Sequence, residues 1–137
     1  MELITKHLCK ASNIGVHGNL FGGQMISWLD EAAALMATEI CKTLKMVTVQ
    51  MDEVKFKIQI KENHRVNIYG EILNIGTTSI TLHLVAKRYN VYTKEETEAC
   101  SINMTFVRIS DEGTKRAIDL EVREQYKQFS KNKQNDK

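Results

Sequence analysis

The chain has 137 residues, 42% of them hydrophobic and 26% charged, and a formal net charge of +2. That is room for one domain with one hydrophobic core, in the composition range of a globular protein. So small a charge, without a basic stripe, argues against a nucleic-acid partner. The longest apolar run, Ala32 to Ala37, is far short of the roughly 20 residues that span a bilayer, which argues against a membrane.

The opening "MELITKHLCKAS" mixes charge into every turn and contains no apolar signal core, so a cytoplasmic location is expected. Residues Glu2 to Leu8 are compatible with a short first strand. The cysteines, Cys9, Cys41 and Cys100, are odd in number and widely spaced, with no C-x-x-C. The histidines His7, His17, His64 and His83 do not cluster with them at metal-ligand spacings. Three reduced thiols and no metal are expected.

The next segment, "HGNLFGG", places Gly22 and Gly23 immediately before a long helix, predicted over residues 24 to 41. Glycines there leave the free amides of the first turn open to a ligand oxygen, and the helix dipole favours negative charge beside them. A tight turn by itself would also call for glycine. At 100° per residue, Gln24, Ser27, Glu31 and Thr38 form a narrow polar stripe opposite Met25, Leu29, Ala33, Met36 and Ile40. Asp30 falls off the stripe, beside Ile26, Ala37 and Cys41. It is either a carboxylate reaching solvent at a helix edge or a general base or nucleophile. Gly23 and Asp30 are two turns apart, about 10 Å of rise, so they do not easily serve one small atom within a single chain.

After the helix the period becomes two. In "MVTVQMDEVKFKIQI" the apolar positions are Val47, Val49 and Met51, then Val54, Phe56, Ile58 and Ile60. The change of parity at Asp52–Glu53 predicts a β-bulge. "VNIYGEILNI", "SITLHLVAKRYNVY" and "EACSINMTFVRI" read as three further strands. The connections "IGTT", with Gly76 able to take φ > 0, and "TKEE" are too short for crossovers and predict antiparallel hairpins. The fold class is α+β, one long helix packed across a four- or five-stranded antiparallel sheet. One helix cannot cover both faces and both edges of that sheet, so a homo-oligomer is expected. Residues 1 to 118 form the main domain. Residues 119 to 137 comprise a short helix, with Val122, Tyr126 and Phe129 at helical spacing, and a polar tail that frays.

The combination "HGNLFGGQMISWLDEAAA", "VTVQMDEVKFKIQI" and "GTTSITLHLVAK" resembles the cytosolic acyl-CoA thioester hydrolases of the hotdog fold, over roughly residues 3 to 118. The resemblance implies a helix wrapped by a five-stranded sheet, a dimer with a continuous sheet as the unit, and assembly as a trimer of dimers. It implies that Asp30 is the catalytic carboxylate, that Asn19 arranges the reacting carbonyl or water across the dimer interface, and that the Gly23 amide is the oxyanion donor. It further implies that Gly22 borders the substrate and that Gly76, Thr77, Thr78 and Ser79 line a groove for coenzyme A. Lys87, Arg88, Lys115 and Arg116 are candidates for its phosphates. No cofactor is implied, coenzyme A being part of substrate and product. The family often carries a proline near Gln59, and this chain has none. Two other readings stand beside hydrolysis. One is an acyl-thioester hydratase or dehydratase using His17, although the proline-containing histidine motifs of that chemistry are missing. The other is a non-catalytic acyl-CoA sensor. The acyl tunnel is expected to be lined by residues such as Met25, Trp28, Leu29 and Leu44.

Overall fold

A computed structural model describes residues 1–130. In chain order it contains β1 (Glu2–Leu8), a single 3-10 turn at Ala11–Asn13, α1 (Gly22–Cys41), β2 (Met46–Phe56), β3 (Arg65–Ile75), β4 (Ser79–Tyr89), β5 (Glu96–Arg108), α2 (Leu120–Gln125) and a last 3-10 turn at Lys127–Phe129. All five strands join one antiparallel sheet in the order β1-β3-β4-β5-β2. The two short turns are hairpins, as their length requires. The link from β2 to β3 instead travels from one edge of the sheet to the other side of it. On the way it is tied to the loop before α1, where the Leu20 amide donates to the Ile60 carbonyl at 2.7 Å.

α1 starts at Gly22, two residues ahead of the predicted start, because the glycines themselves take helical conformation. It stops where Lys42 turns left-handed, with φ 57, and returns its amide to the Thr38 carbonyl. Its buried face (Met25, Leu29, Ala32, Ala33, Met36, Ala37) lies against Ile68, Leu82, Leu84, Ile102, Met104 and Phe106 of the sheet. Gly70 of β3 leaves room for the helix side chains. A Cβ there would come within 2.8 Å of the Met36 sulfur and 3.0 Å of Leu84. Truncating the fully buried Leu29 to alanine in so close a packing would cost about 2–5 kcal/mol.

Three expectations are corrected. First, β2 carries two bulges. One lies between Asp52 and Lys55, with Glu53 at φ 54, where the change of parity predicted it. The other, between Thr48 and Gln50, was invisible because Val47, Val49 and Met51 alternate without interruption. It breaks the alternation, so that Val47 pairs with Val107 while Thr48 stands opposite the buried Phe106, on the helix side. Second, Gly76 does not have positive φ; only Gly18 and Gly113 do among the glycines. A Cβ at Gly76 would sit 3.4 Å from the Ser79 hydroxyl, so it spares space rather than backbone strain. Third, the proposed tunnel residues do not share one environment: Met25 borders a cavity. Trp28 is stacked on His7 with ring centroids 4.5 Å apart, Leu29 is core, and Leu44 is 87% exposed.

After β5 the chain is held firmly. Arg108 is nearly buried and its Nη1 donates to Asp119 Oδ1 at 2.8 Å. The Ile118 amide donates to the Thr77 carbonyl at 2.8 Å. Val122 is buried in the core, with Tyr126 and Phe129 packed against it, which is the helical spacing the sequence displays. The tail expected to fray falls mostly on residues 131–137, outside the described residues.

The opposite edge is bare. Val47, Val49, Met51, Val54 and Phe56 of β2 are all more than a third exposed. A long apolar edge strand with unpaired amides and carbonyls is a surface made for pairing.

Candidate active site

Asp30 projects from the third turn of α1 toward β2. Its Oδ1 accepts a hydrogen bond of 2.8 Å from the Thr48 hydroxyl, and the carboxylate is half-buried. The upstream bulge is what turns Thr48 to this side. Thr48 is the residue that pattern reading missed, since simple alternation sends it to the opposite face. A residual signal was available: a β-branched polar residue between valines in a strand laid over a helix that carries one off-stripe carboxylate. Glu31, one position on, is exposed, as the polar stripe requires.

A cavity of about 660 Å³ opens at the other end of the helix, between the loop before α1 and the end of β2. Its apolar wall is Phe21, Met25, Phe56, Ile58 and Ile60; its polar groups include His17, Asn19 and Gln24. Asn19 Oδ1 accepts from Lys61 Nζ at 2.9 Å, which fixes the amide of Asn19 relative to the crossover loop. Phe21 supplies no side-chain cap to the helix. Its carbonyl accepts from the Gln24 and Met25 amides, and the Gly22 and Gly23 amides have no acceptor among the described residues. These are two of the four orphan donors of a helix start. The Phe21 ring lies over Gly23, where a Cβ would stand 2.7 Å from Cε2. Gly22, Asn19 and His17 therefore share one cavity, and Asp30 does not line it. The distance foreseen between helix start and carboxylate is a property of the folded chain.

The remaining candidates fall into two groups. Thr78 accepts from the Arg108 amide, and the Arg108 carbonyl accepts from the Arg116 amide, so the Gly76–Ser79 turn and the Lys115–Arg116 segment are neighbours. Lys87 and Arg88 are at the far end of β4, about 30 Å from that turn at 3.3 Å per residue. There Lys87 lies over the Tyr69 ring at 4.9 Å, and Arg88 Nη1 donates to the Gln59 carbonyl at 3.4 Å, beside the large cavity. The two groups cannot hold one phosphate in a single chain.

Other titratable groups have structural explanations. Burial, with Arg88 and Lys61 nearby, pushes His64 below the usual imidazole range. Its Nδ1 accepts from the Lys61 amide at 2.9 Å, a turn contact. Burial pushes the Cys41 and Cys100 thiols up to about 11. Hydrogen bonding to Glu96 raises the Tyr69 phenol, while in Glu96 burial is outweighed by the bonds from Tyr69 and Asn67 and the carboxyl falls. Among the described residues, no cluster of His, Cys, Asp and Glu could hold a metal ion, and no helix is long and apolar enough to cross a membrane.

Comparison with known proteins places this arrangement. The model of the thioesterase superfamily matches residues 17–100. An uncharacterised acyl-CoA thioester hydrolase of Buchnera aphidicola is 30% identical over 92 residues, 67% of each chain. The acyl-CoA thioester hydrolase YciA of Escherichia coli is 25% identical over 123 residues, 88% of this chain and 92% of YciA. Among solved structures, a hexameric hotdog-fold thioesterase of Campylobacter jejuni is similar with a TM-score of 0.83 and 27% identity, covering 93% of this chain and 97% of that one. An aspartate-to-alanine mutant of a hexameric broad-specificity acyl-coenzyme A thioesterase gives a TM-score of 0.84 at 25% identity, covering 93% of both chains. The wrapped helix and five-stranded antiparallel sheet are a hotdog fold, and the chain belongs to the thioesterase superfamily.

Proposed function

We propose that this protein is an enzyme that hydrolyses acyl-CoA thioesters to a free carboxylic acid and coenzyme A, as a homo-oligomer with sites shared between subunits. The observation that carries the site assignment is the half-buried Asp30 carboxylate, held by Thr48 beneath a bare edge strand. If a second copy pairs antiparallel through β2, the Phe56 end of the partner's strand lies beside this chain's Met46 end. Asp30, placed at Thr48 near that end, then faces the cavity of the partner rather than its own.

In that composite site the thioester carbonyl rests near the start of the partner's α1. The Gly23 amide, with Gly22 beside it, stabilises the oxyanion, and Asn19 orients the carbonyl or the water. Asp30 takes a proton from water as it attacks, or attacks the carbonyl itself. The carbon–sulfur bond breaks, and the leaving thiolate of coenzyme A is protonated. The Gly76–Ser79 turn and the Lys115–Arg116 segment serve the coenzyme A groove, with Lys87 and Arg88 as a separate cationic edge. Similarity to hexameric thioesterases supports a trimer of such dimers.

The experiment is a thiol-release assay with purified protein and a series of acyl-CoA substrates. Free thiol is expected to appear at a rate proportional to enzyme. Absence of thiol with every chain length would remove the proposal and favour a hydratase or dehydratase working through His17, or a passive binder.

A further inference from the structure

A second, smaller cavity of about 200 Å³ lies between the β3–β4 turn and the C-terminal helix, lined among others by Gly76, Thr77, Arg123, Glu124 and Lys127. We infer that Arg123 and Lys127, with Thr77 opposite, form a seat for a phosphate ester of the coenzyme A moiety. This assignment rests on the proposed thioesterase function and adds two residues of the C-terminal segment to it.

Arg123, on α2, and Lys127, at the start of the 3-10 turn that follows it, border the same cavity. Arg123 Nε donates to the Ile118 carbonyl at 2.9 Å, which fixes the guanidinium plane and leaves the terminal nitrogens for a forked acceptor such as phosphate. Among the described residues, neither cation has a carboxylate within ion-pair distance, although Glu124 lines the same space. Thr77 offers a hydroxyl and an amide that make no hydrogen bond among the described residues. Two cations against one carboxylate leave the cavity a net positive charge.

The seat is rigid. The Ile118–Thr77 backbone bond, the Arg108–Asp119 ion pair at 2.8 Å and the buried Val122 lock α2 against the turn. Ordering cost on binding is therefore small.

Its position favours coenzyme A over a stray anion. Within one chain this end of β4 is about 30 Å from the large cavity, taking 3.3 Å per residue. Across an antiparallel β2–β2 edge, the turn before β4 is separated from the partner's β2 by three strand spacings, about 14 Å. A thioester in the partner's cavity and phosphates at Arg123 and Lys127 are then two ends of one extended ligand.

The test compares an acyl-CoA, the same acyl group on dephospho-coenzyme A, and the acyl-pantetheine, which lacks phosphate altogether. Lys127→Ala and Arg123→Gln are each expected to raise KM for the acyl-CoA about tenfold with kcat retained, since phosphate contacts are made equally in ground and transition states. Kinetics on the acyl-pantetheine should not change, and a thermal midpoint equal to the unmodified protein's should accompany them. A KM that stays put on acyl-CoA, or rises equally on acyl-pantetheine, overturns the assignment while leaving thioesterase function intact. If the unmodified protein releases no thiol from any of the three, the function falls, and this seat with it. The dephospho substrate locates the contact: insensitivity of that substrate to both variants assigns the seat to the ribose phosphate, sensitivity to the diphosphate.

Discussion

The Thr48 hydroxyl donates to Asp30 Oδ1 at 2.8 Å, across the gap between an edge strand and the helix beneath it. One residue comes from the long helix α1 and the other from a strand whose register is shifted by a bulge. A carboxylate in that position is held in one orientation and is still half open to whatever pairs with the edge.

Asp30→Asn keeps the shape and still accepts from Thr48, but it cannot act as base or nucleophile. Turnover is expected to fall 100-fold or more, on the order of what a positioned base contributes, while the thermal midpoint holds or rises. Glu31→Gln, on the exposed stripe, should keep most activity. Wild-type turnover in the position-30 variant, measured by thiol release, would dismiss Asp30 as catalyst.

Thr48→Val removes the donor and preserves the β-branched shape. A hydrogen bond to a charged group is worth about 1.5–3 kcal/mol. If half of that acts on the transition state, kcat should drop about four- to tenfold, with KM little changed. Thr48→Ser restores the hydroxyl and should recover most of the rate. Equal loss in the valine and serine variants would mean that packing, not the hydrogen bond, matters at this position.

A lysine at Val49 puts charge onto the apolar edge of β2 without touching the core. The unmodified protein is expected to scatter light as six chains of 15.7 kDa. Val49→Lys should yield smaller species that retain the far-ultraviolet spectrum of the fold but, on the proposed shared site, lose at least tenfold in activity. A variant that is monomeric and fully active would rule out a shared site.

Alkaline stability follows from the thiols. Burial raises Cys41 and Cys100 from an ordinary value of 9.0 to about 11 in the folded chain. Between those values the unfolded chain ionises and the folded one does not, so the unfolded state binds fewer protons and stability falls as pH rises. Each thiol removes up to about 1.4 kcal/mol per pH unit in that window. The thermal midpoint should be insensitive to these groups below pH 9 and decline from 9 toward 11, less steeply in Cys41→Ala. A decline of the same slope in the alanine variant would locate the effect elsewhere. By the same burial, none of the three thiols should react with a disulfide reagent at pH 8 until the protein unfolds.

Much of this was settled by the sequence itself, because side-chain period reports directly on which face of an element is buried. The 3.6-residue period placed Glu31 outward and Asp30 on the flank, and the two-residue period of β4 and β5 set Leu82, Leu84, Ile102 and Phe106 on one face, where the structure buries them. Turn length made the β3–β4 and β4–β5 connections hairpins, and the parity change at Asp52–Glu53 located one bulge. The tertiary structure alone decided what depends on pairing between distant segments. A bulge inside an uninterrupted alternation leaves no mark in sequence, so the inward turn of Thr48 appears only once β2 is laid against β5. The chain order of the strands does not say that β2 takes the far edge, and it is that placement which leaves its apolar side chains bare. Trp28 and Leu44 looked alike as apolar residues near a helix, yet one is stacked on His7 and the other stands in solvent, since burial is conferred by neighbours. The separation of Asp30 from the Gly22–Gly23 amides was already fixed by helix rise. The site proposed here, which one chain begins and a second completes, rests also on the bare β2 edge, which only the folded molecule displays.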